Sequence, residues 1–511
     1  MTTDIKTAYK KLIELNKNLT IFSTAQAIIS WDMETMMPPK AVNMRSEQLS
    51  LLSQIHHKMN TNPKIGKLLN SIIQNSNFDI LNEVEKRNTH LIKKNYDEQT
   101  KLPAKLVTQI SKQQAITVNI WKKAKASKNY NAYKSELEKL VALNMDAADI
   151  LMKVKQTKTP YDALIDIFEP KMTSEAITKI FTELEQGLKI LLTKIESAPK
   201  QHSDIILSKK VSVEKQKEIS KLLTKTLGYD TTTSEASGRI DETEHPFTTG
   251  YYDDVRITTH YYPNKITSSL FSVLHETGHA LYEQGLPQEW KYQPVGSPAS
   301  SGIHESQSRL YENLIGRSTE FWNSLFPKIR AIAASEFSNI ELDQFIHAIN
   351  VVKPSKIRIE SDEITYSLHI IIRFQIEKDL FAGKVKVNEL PVVWNQKYKE
   401  MLNVEIENDS EGVMQDTHWA SGLYGYFPSY ALGNIYSGQM LNAIEKNNPN
   451  WHSQLAQGNL EPIRSWLTNN IYNKGNLYDP ADLVKKATGL GLTVKPYLNY
   501  LQDKYSVIYG V

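Results

Sequence analysis

With 511 residues, 40% of them hydrophobic and 23% charged, the chain is long enough for a large buried core and too apolar to be disordered. Its net charge of +3 comes from 60 Lys and Arg against 57 Asp and Glu scattered along the chain, which is no nucleic-acid footprint. There is no cysteine, so disulfides, thiolate metal sites and a cysteine nucleophile are excluded, and any bound metal must use His, Asp or Glu.

The opening stretch, MTTDIKTAYKKLIELNKNL, is polar and helical in period, unlike a secretory signal. No apolar run reaches the length of a membrane span, so a soluble, cytoplasmic protein without membrane or nucleic-acid partners is expected. Leu137, Leu140, Val141 and Met145 fall on one helix face. Ile177, Ile180, Phe181 and Leu184 do the same after Pro170, with Thr173 or Ser174 as the cap. The best strand signal is Val255 to Tyr262, β-branched and aromatic, ended by Pro263 and Asn264. It predicts a short sheet or one edge strand. No linker, repeat or low-complexity block divides the chain. A single, mostly α-helical unit over 1–511 is expected, with two lobes around a cleft.

The strongest local signal is His275-Glu276-Thr277-Gly278-His279, on a stretch where Leu270, Leu274 and Leu281 mark an apolar stripe. On a helix, two His four apart point the same way and can share one Zn²⁺. Glu276 then reaches the water beside the metal without being a ligand. A third His ligand would need Gly at 282 and His at 285, where the chain has Tyr282 and Gly285. A carboxylate from a following helix is the alternative. Glu305 is the leading candidate, against Glu283 and Glu312.

These residues belong to a wider pattern that resembles the carboxypeptidase Taq metallocarboxypeptidases. Trp31 to Pro38, with Arg45, Gln48 and Leu49, resembles that family's opening signature. Tyr161 to Leu164 with Glu169-Pro170, then Gly238-Arg239 and His245-Pro246-Phe247, match further landmarks. Five blocks follow: Asp254 to Thr258, His275 to His279, His304 to Gln307, Ile357 to Asp362, and Gly412 to Trp419. Ser361 departs from the pattern, standing where the family usually has Ala.

The resemblance implies a mostly α fold with a deep cleft and a small sheet near the site, similar to neurolysin and angiotensin-converting enzyme. The N-terminal helices are expected to form a wall or lid of the cleft. It also implies a homodimer, a divalent metal (Zn²⁺, with Co²⁺ or Mn²⁺ as alternatives), and removal of single residues from peptides with a free C-terminus. It gives His275, His279 and Glu305 the ligand roles and Glu276 the base role.

A free α-carboxylate is best held by a guanidinium fork. Arg358 is the first candidate and Arg256 the second; ion pairs with Asp362 and Asp254 are the structural alternatives. A second donor to the tetrahedral oxyanion is expected from His418, with Tyr424 or Tyr426 as others. His245 is a candidate substrate contact near the mouth of the site, or a loop cap before Pro246. Two other functions fit the pattern: an oligopeptidase of the same fold that cuts internally or releases dipeptides, and an inactive helical scaffold that keeps a structural metal.

Overall fold

The computed structural model describes residues 4–511. It opens with four helices: α1 (Ile5–Thr35), α2 (Val42–Asn60), α3 (Pro63–Ile73) and α4 (Glu83–Lys101). Asp4 caps α1 by accepting from the Thr7 N–H, and Asn82 and Glu85 form a reciprocal capping box on α4. Ile5, Leu12, Ile65, Leu69, Ile72 and Ile92 give these helices a small core of their own. Nearly all remaining buried apolar residues join one larger core.

That core is built first from α5 (Ala104–Ala126), α6 (Asn131–Lys155), α7 (Pro160–Phe168), α8 (Ser174–Glu196) and α9 (Val213–Leu227). On α6, Leu137, Leu140 and Val141 are buried and Met145 is half-buried. On α8, Ile177, Ile180, Phe181 and Leu184 are buried, and the cap is Thr173, accepting from the Ala176 N–H.

Among the described residues there is one sheet, of β1 (Gly238–Glu242), β2 (Thr248–Tyr251) and β3 (Asp254–Thr259). β3 is its middle strand, parallel to β1 and antiparallel to β2, so the predicted strand is not at an edge. It also stops three residues earlier than expected, where the His260 ring turns to the Thr243 carbonyl.

The strand leads into α10 (Ile266–Gln284) and then α11 (Ser301–Arg309). α11 runs directly into a π-helical turn, Leu310–Ile315. Ten helices complete the fold. They are α12 (Thr319–Ile332), α13 (Ala334–Phe337), α14 (Leu342–Ile349), α15 (Tyr366–Phe381), α16 (Leu390–Leu402), α17 (Pro428–Asn447), α18 (Trp451–Ala456), α19 (Glu461–Asn470), α20 (Pro480–Thr488) and α21 (Lys495–Tyr509), counted among the described residues. No helix is long and apolar enough to cross a membrane, among the described residues.

α11 lies in a slot between α10 and α17, and two glycines make the slot. A Cβ on Gly278 of α10 would fall 2.7 Å from the Ser308 Cα. One on Gly433 of α17 would fall 2.6 Å from the Glu305 Cγ. Any larger residue at either place would push the helices apart.

Two buried carboxylates brace the ends of α7. At its C-cap, Glu169 accepts from the Gly302 N–H at 3.0 Å and the Tyr436 hydroxyl at 2.8 Å. Near its start, the Tyr161 hydroxyl donates to Glu377 of α15 at 2.8 Å. Burial pushes both carboxyls up to about 7, although their hydrogen bonds pull the other way. A folded pKa above the unfolded one stabilises below the unfolded value and is lost as pH rises through the folded value. Each carboxyl therefore loses at most ~3 kcal/mol of its contribution between about pH 4.5 and 7. In the doubly substituted Glu169→Gln/Glu377→Gln protein that pH-dependent loss is expected to vanish. The midpoint of thermal unfolding, relative to wild type, should rise with pH across this window. A difference flat in pH would mean that the carboxyls are ionised throughout.

Candidate active site

The helical spacing puts His275 and His279 on one face of α10, and α11 brings Glu305 against them. The Glu305 Oε2 lies 3.7 Å from the His275 Nε2 and 3.5 Å from the His279 Nε2. One donor atom from each of the three residues lies within 4.8 Å of the others, a spacing that one small cation can bridge.

The opposite edges of the rings are also held. The His275 Nδ1 meets Glu312 Oε2 at 2.7 Å, and Glu312 sits in the π-helical turn after α11. The His279 Nδ1 pairs with the His304 Nδ1, whose own Nε2 meets Glu283 Oε1 at 3.0 Å. Each candidate ligand imidazole is thus oriented through the nitrogen that faces away from Glu305, a pattern typical of metal-binding His. Glu283 and Glu312, weighed from sequence as third ligands, both stand behind the rings.

Arg309, one turn after Glu305, donates its Nε to Glu305 Oε1 at 2.6 Å and an Nη to Glu312 at 3.2 Å. Burial alone would raise the Glu305 carboxyl, but Arg309 and the imidazoles outweigh it and hold it well below the carboxylate range. Burial opposes a charge on His275 as well, yet Glu305 and Glu312 push it up to about 9. His279, by contrast, is pushed down to about 3 by burial and the neighbouring His304, so it is held as a neutral ring. The three side chains supply the N and O donor set of a divalent-cation site.

Glu276 is buried and turned to the sheet side, where the Thr248 hydroxyl of β2 lies 2.6 Å from its Oε2. Burial raises its pKa, with His275 and Thr248 opposing. His245 is exposed on the loop that leads into β2.

A second charged cluster is centred on Asp416, buried between two guanidiniums. Arg358 gives its Nε and one Nη to Asp416 Oδ1 at 3.0 and 2.8 Å, while Arg373 holds Oδ2. Two positive groups share one carboxylate. The ion pair of Arg358 is thus with Asp416, across the fold, and not with Asp362. Asp362 instead accepts from the backbone of Lys353, Ile364 and Thr365. Arg358 lies in a short 3₁₀ turn, and the Ser361 hydroxyl donates to its carbonyl at 2.6 Å. The other Arg358 Nη donates to the Tyr366 hydroxyl, and Arg309 lies over the Tyr366 ring at 3.9 Å. The two charged clusters therefore meet at one tyrosine.

Arg256 takes the alternative weighed for it. Its Nε and one Nη grip Asp254 at 2.7 and 2.8 Å, and its guanidinium lies over the Trp31 ring of α1. Its fork, like that of Arg358, is occupied by a carboxylate, here one on its own strand.

His418 is buried, with its Nε2 3.1 Å from the Tyr430 hydroxyl. Burial pushes its pKa down to about 3, Asp416 opposing and Arg358 and Arg373 adding, so the ring is neutral. Tyr424 is turned into the core. Its hydroxyl donates to the Trp419 carbonyl at 3.1 Å and its ring packs on Phe381 in the core. Tyr426, two residues on, faces the other way, and the nearby Glu305 charge adds to the burial that pushes it up to about 12. Its ring meets Tyr430 edge-on at 5.2 Å. Arg309, Thr248, Asp416 and Tyr430 were not singled out from sequence. Only Arg309 had a local signal, its four-residue spacing from Glu305.

Two His and one Glu that could hold a metal ion, with a second Glu beside them, are the arrangement found in metallopeptidases. The carboxypeptidase Taq (M32) metallopeptidase family matches residues 11–505, and the chain belongs to that family. It is accordingly a metallocarboxypeptidase, a hydrolase acting on peptides. It is 37% identical over 507 residues to carboxypeptidase 1 of Bacillus subtilis, covering 99% of each chain. It is 35% identical to thermostable carboxypeptidase 1 of Thermus thermophilus, covering 98% of this chain and 99% of that one. The crystal structure of the M32 carboxypeptidase from Deinococcus radiodurans superposes with a TM-score of 0.94 at 34% identity, covering 99% of this chain and all of that one.

Proposed function

We propose that the protein is a zinc-dependent exopeptidase that releases single amino acids from peptides with a free C-terminus. The observation that carries this reading is the convergence of His275, His279 and Glu305 with Glu276 beside them but outside the set. Zn²⁺ suits two imidazoles and a carboxylate, and Co²⁺ or Mn²⁺ can take the same donors. When bound, the ion supplies Lewis acidity to the scissile carbonyl and acidifies the attacking water.

Glu276 takes the proton of that water and returns it to the leaving amine. Its burial supports this role, because a raised pKa brings a carboxylate closer to a neutral working pH. Thr248 fixes the carboxylate that must move the proton. His418, kept neutral, can donate an N–H to the developing oxyanion, and Tyr426 replaces Tyr424 as the candidate phenol. Arg358 binds the substrate carboxylate, supported by the uncompensated positive charge of the Arg358–Asp416–Arg373 group. Arg256, tied to Asp254, shapes the wall with Trp31, and His245 meets the peptide near the mouth. The whole chain acts as one peptidase domain with its N-terminal helices along the cleft. Asn16 to Tyr292 and Thr243 to Glu34 are contacts that support this. The family resemblance supports a cytoplasmic homodimer.

Mass spectrometry of a mixed peptide set is expected to give a ladder of one-residue losses from the C-terminus. Chelation should stop it and amidated peptides should be spared. Internal fragments, dipeptide products or chelator-resistant turnover would reject the reading.

A further inference from the structure

We propose that Glu169 and Glu377, held at opposite ends of α7, are positioning residues that align the metal-ligand helix with the loop carrying His418 and Tyr426. This rests on the roles proposed above for Glu305, His418 and Tyr426.

Glu169 acts on the ligand side. Ser300 caps α11, so Gly302 is its second residue, and the Gly302 N–H has no acceptor within the helix. Glu169 supplies that acceptor, and its carboxylate also faces the positive end of the helix. Glu305 follows three residues later, about one turn on. The second partner of Glu169 is Tyr436 of α17, three residues from the Gly433 surface on which Glu305 rests. One carboxylate thus fixes both the start of the ligand helix and the helix beneath it.

Glu377 acts on the loop side. Besides Tyr161, it accepts from the Trp419 Nε1 at 2.8 Å and from the Gly425 N–H at 2.9 Å. Trp419 follows His418 in the chain, and Gly425 precedes Tyr426. α7 itself touches the loop, since the Phe168 ring meets Tyr426 edge-on at 4.9 Å. Neither carboxylate forms a salt bridge among the described residues, although both are buried. A buried acid without a counter-ion is costly to keep. Here one hydrogen bond of Glu169 and two of Glu377 go to segments that carry proposed site residues.

The split between the two is the test. Zn²⁺ affinity is measured by competition with a chromogenic chelator, and the ligand field by the visible spectrum of the Co²⁺-loaded protein. Glu169→Gln keeps the volume but turns one acceptor into a donor facing the Gly302 N–H or Tyr436. It is expected to weaken Zn²⁺ binding ~10-fold or more and to shift the Co²⁺ spectrum. Glu377→Gln should leave Zn²⁺ affinity within about 3-fold of wild type and lower kcat ~10-fold or more with little change in KM. Tyr436→Phe and Tyr161→Phe, which each remove one hydrogen bond, should show the same split more weakly and serve if a Gln variant does not fold. Wild-type Zn²⁺ affinity in both Glu169→Gln and Tyr436→Phe, or equal effects of the two Gln variants on metal and turnover, would overturn the inference. A wild-type protein that binds no Zn²⁺ would instead overturn the metal-site reading on which it rests.

Discussion

Glu276→Gln is expected to lower kcat/KM roughly 100- to 10,000-fold while leaving metal content unchanged. Glutamine keeps the volume of a buried side chain, and its amide oxygen can still accept from Thr248, so the local structure should hold. What it cannot do is take a proton from water. Glu276 is not among the three residues whose donor atoms converge, which is why metal should be retained. Metal analysis and peptide turnover on the same preparation separate the two effects. Turnover within a few-fold of wild type would remove Glu276 from the reaction.

Asp416→Asn is expected to destabilise the fold strongly. Burial by itself would raise this carboxyl, but Arg358 and Arg373 overwhelm it and hold it far below the usual range. Its contribution is therefore present above the ordinary pKa of 3.8 and would be lost only in strong acid. Asparagine leaves two buried guanidiniums without a counter-charge, a change that costs ~4 kcal/mol in comparable sites. With an unfolding entropy of about 2.1 cal/mol/K per residue, that lowers Tm by roughly 4 °C in a chain of this length. The amide oxygen can still accept from Arg358, but the charge that holds it is gone and an NH2 group faces Arg373, so KM for peptides with a free C-terminus should rise together with the loss of stability. An unchanged Tm and KM would mean that Gln415, Tyr366 and Tyr398 hold the two arginines unaided.

Much of the candidate metal site was legible because it is local. Four-residue spacing places His275 and His279 on one face whatever surrounds the helix, and a Glu early in the next helix is free to turn back. The strand from 254 to 259 was legible from its β-branched residues, but its central place was not. β1 and β2 carry Gly and charged or small residues and gain their order by pairing with β3. The ion pair weighed for Arg358 as the alternative to substrate binding was with Asp362, four residues away, whereas the structure supplies Asp416 from a distant segment. Spacing has no information about such a contact. Tyr424 and Tyr426 are equivalent in sequence, and only the path of the loop past Glu377 turns one into the core and the other toward Glu305.

The two-glycine slot around α11 bears on ionic radius. With a glycine backbone pressed against each of its two faces, this helix has little room to shift toward α10 or α17. Accommodating Mn²⁺ in place of the smaller Zn²⁺ would then fall to the torsions of a single flexible side chain, that of Glu305. Selectivity among metals should accordingly be adjusted by residues that limit those torsions, Arg309 and Ser308, and hardly at all by the helices.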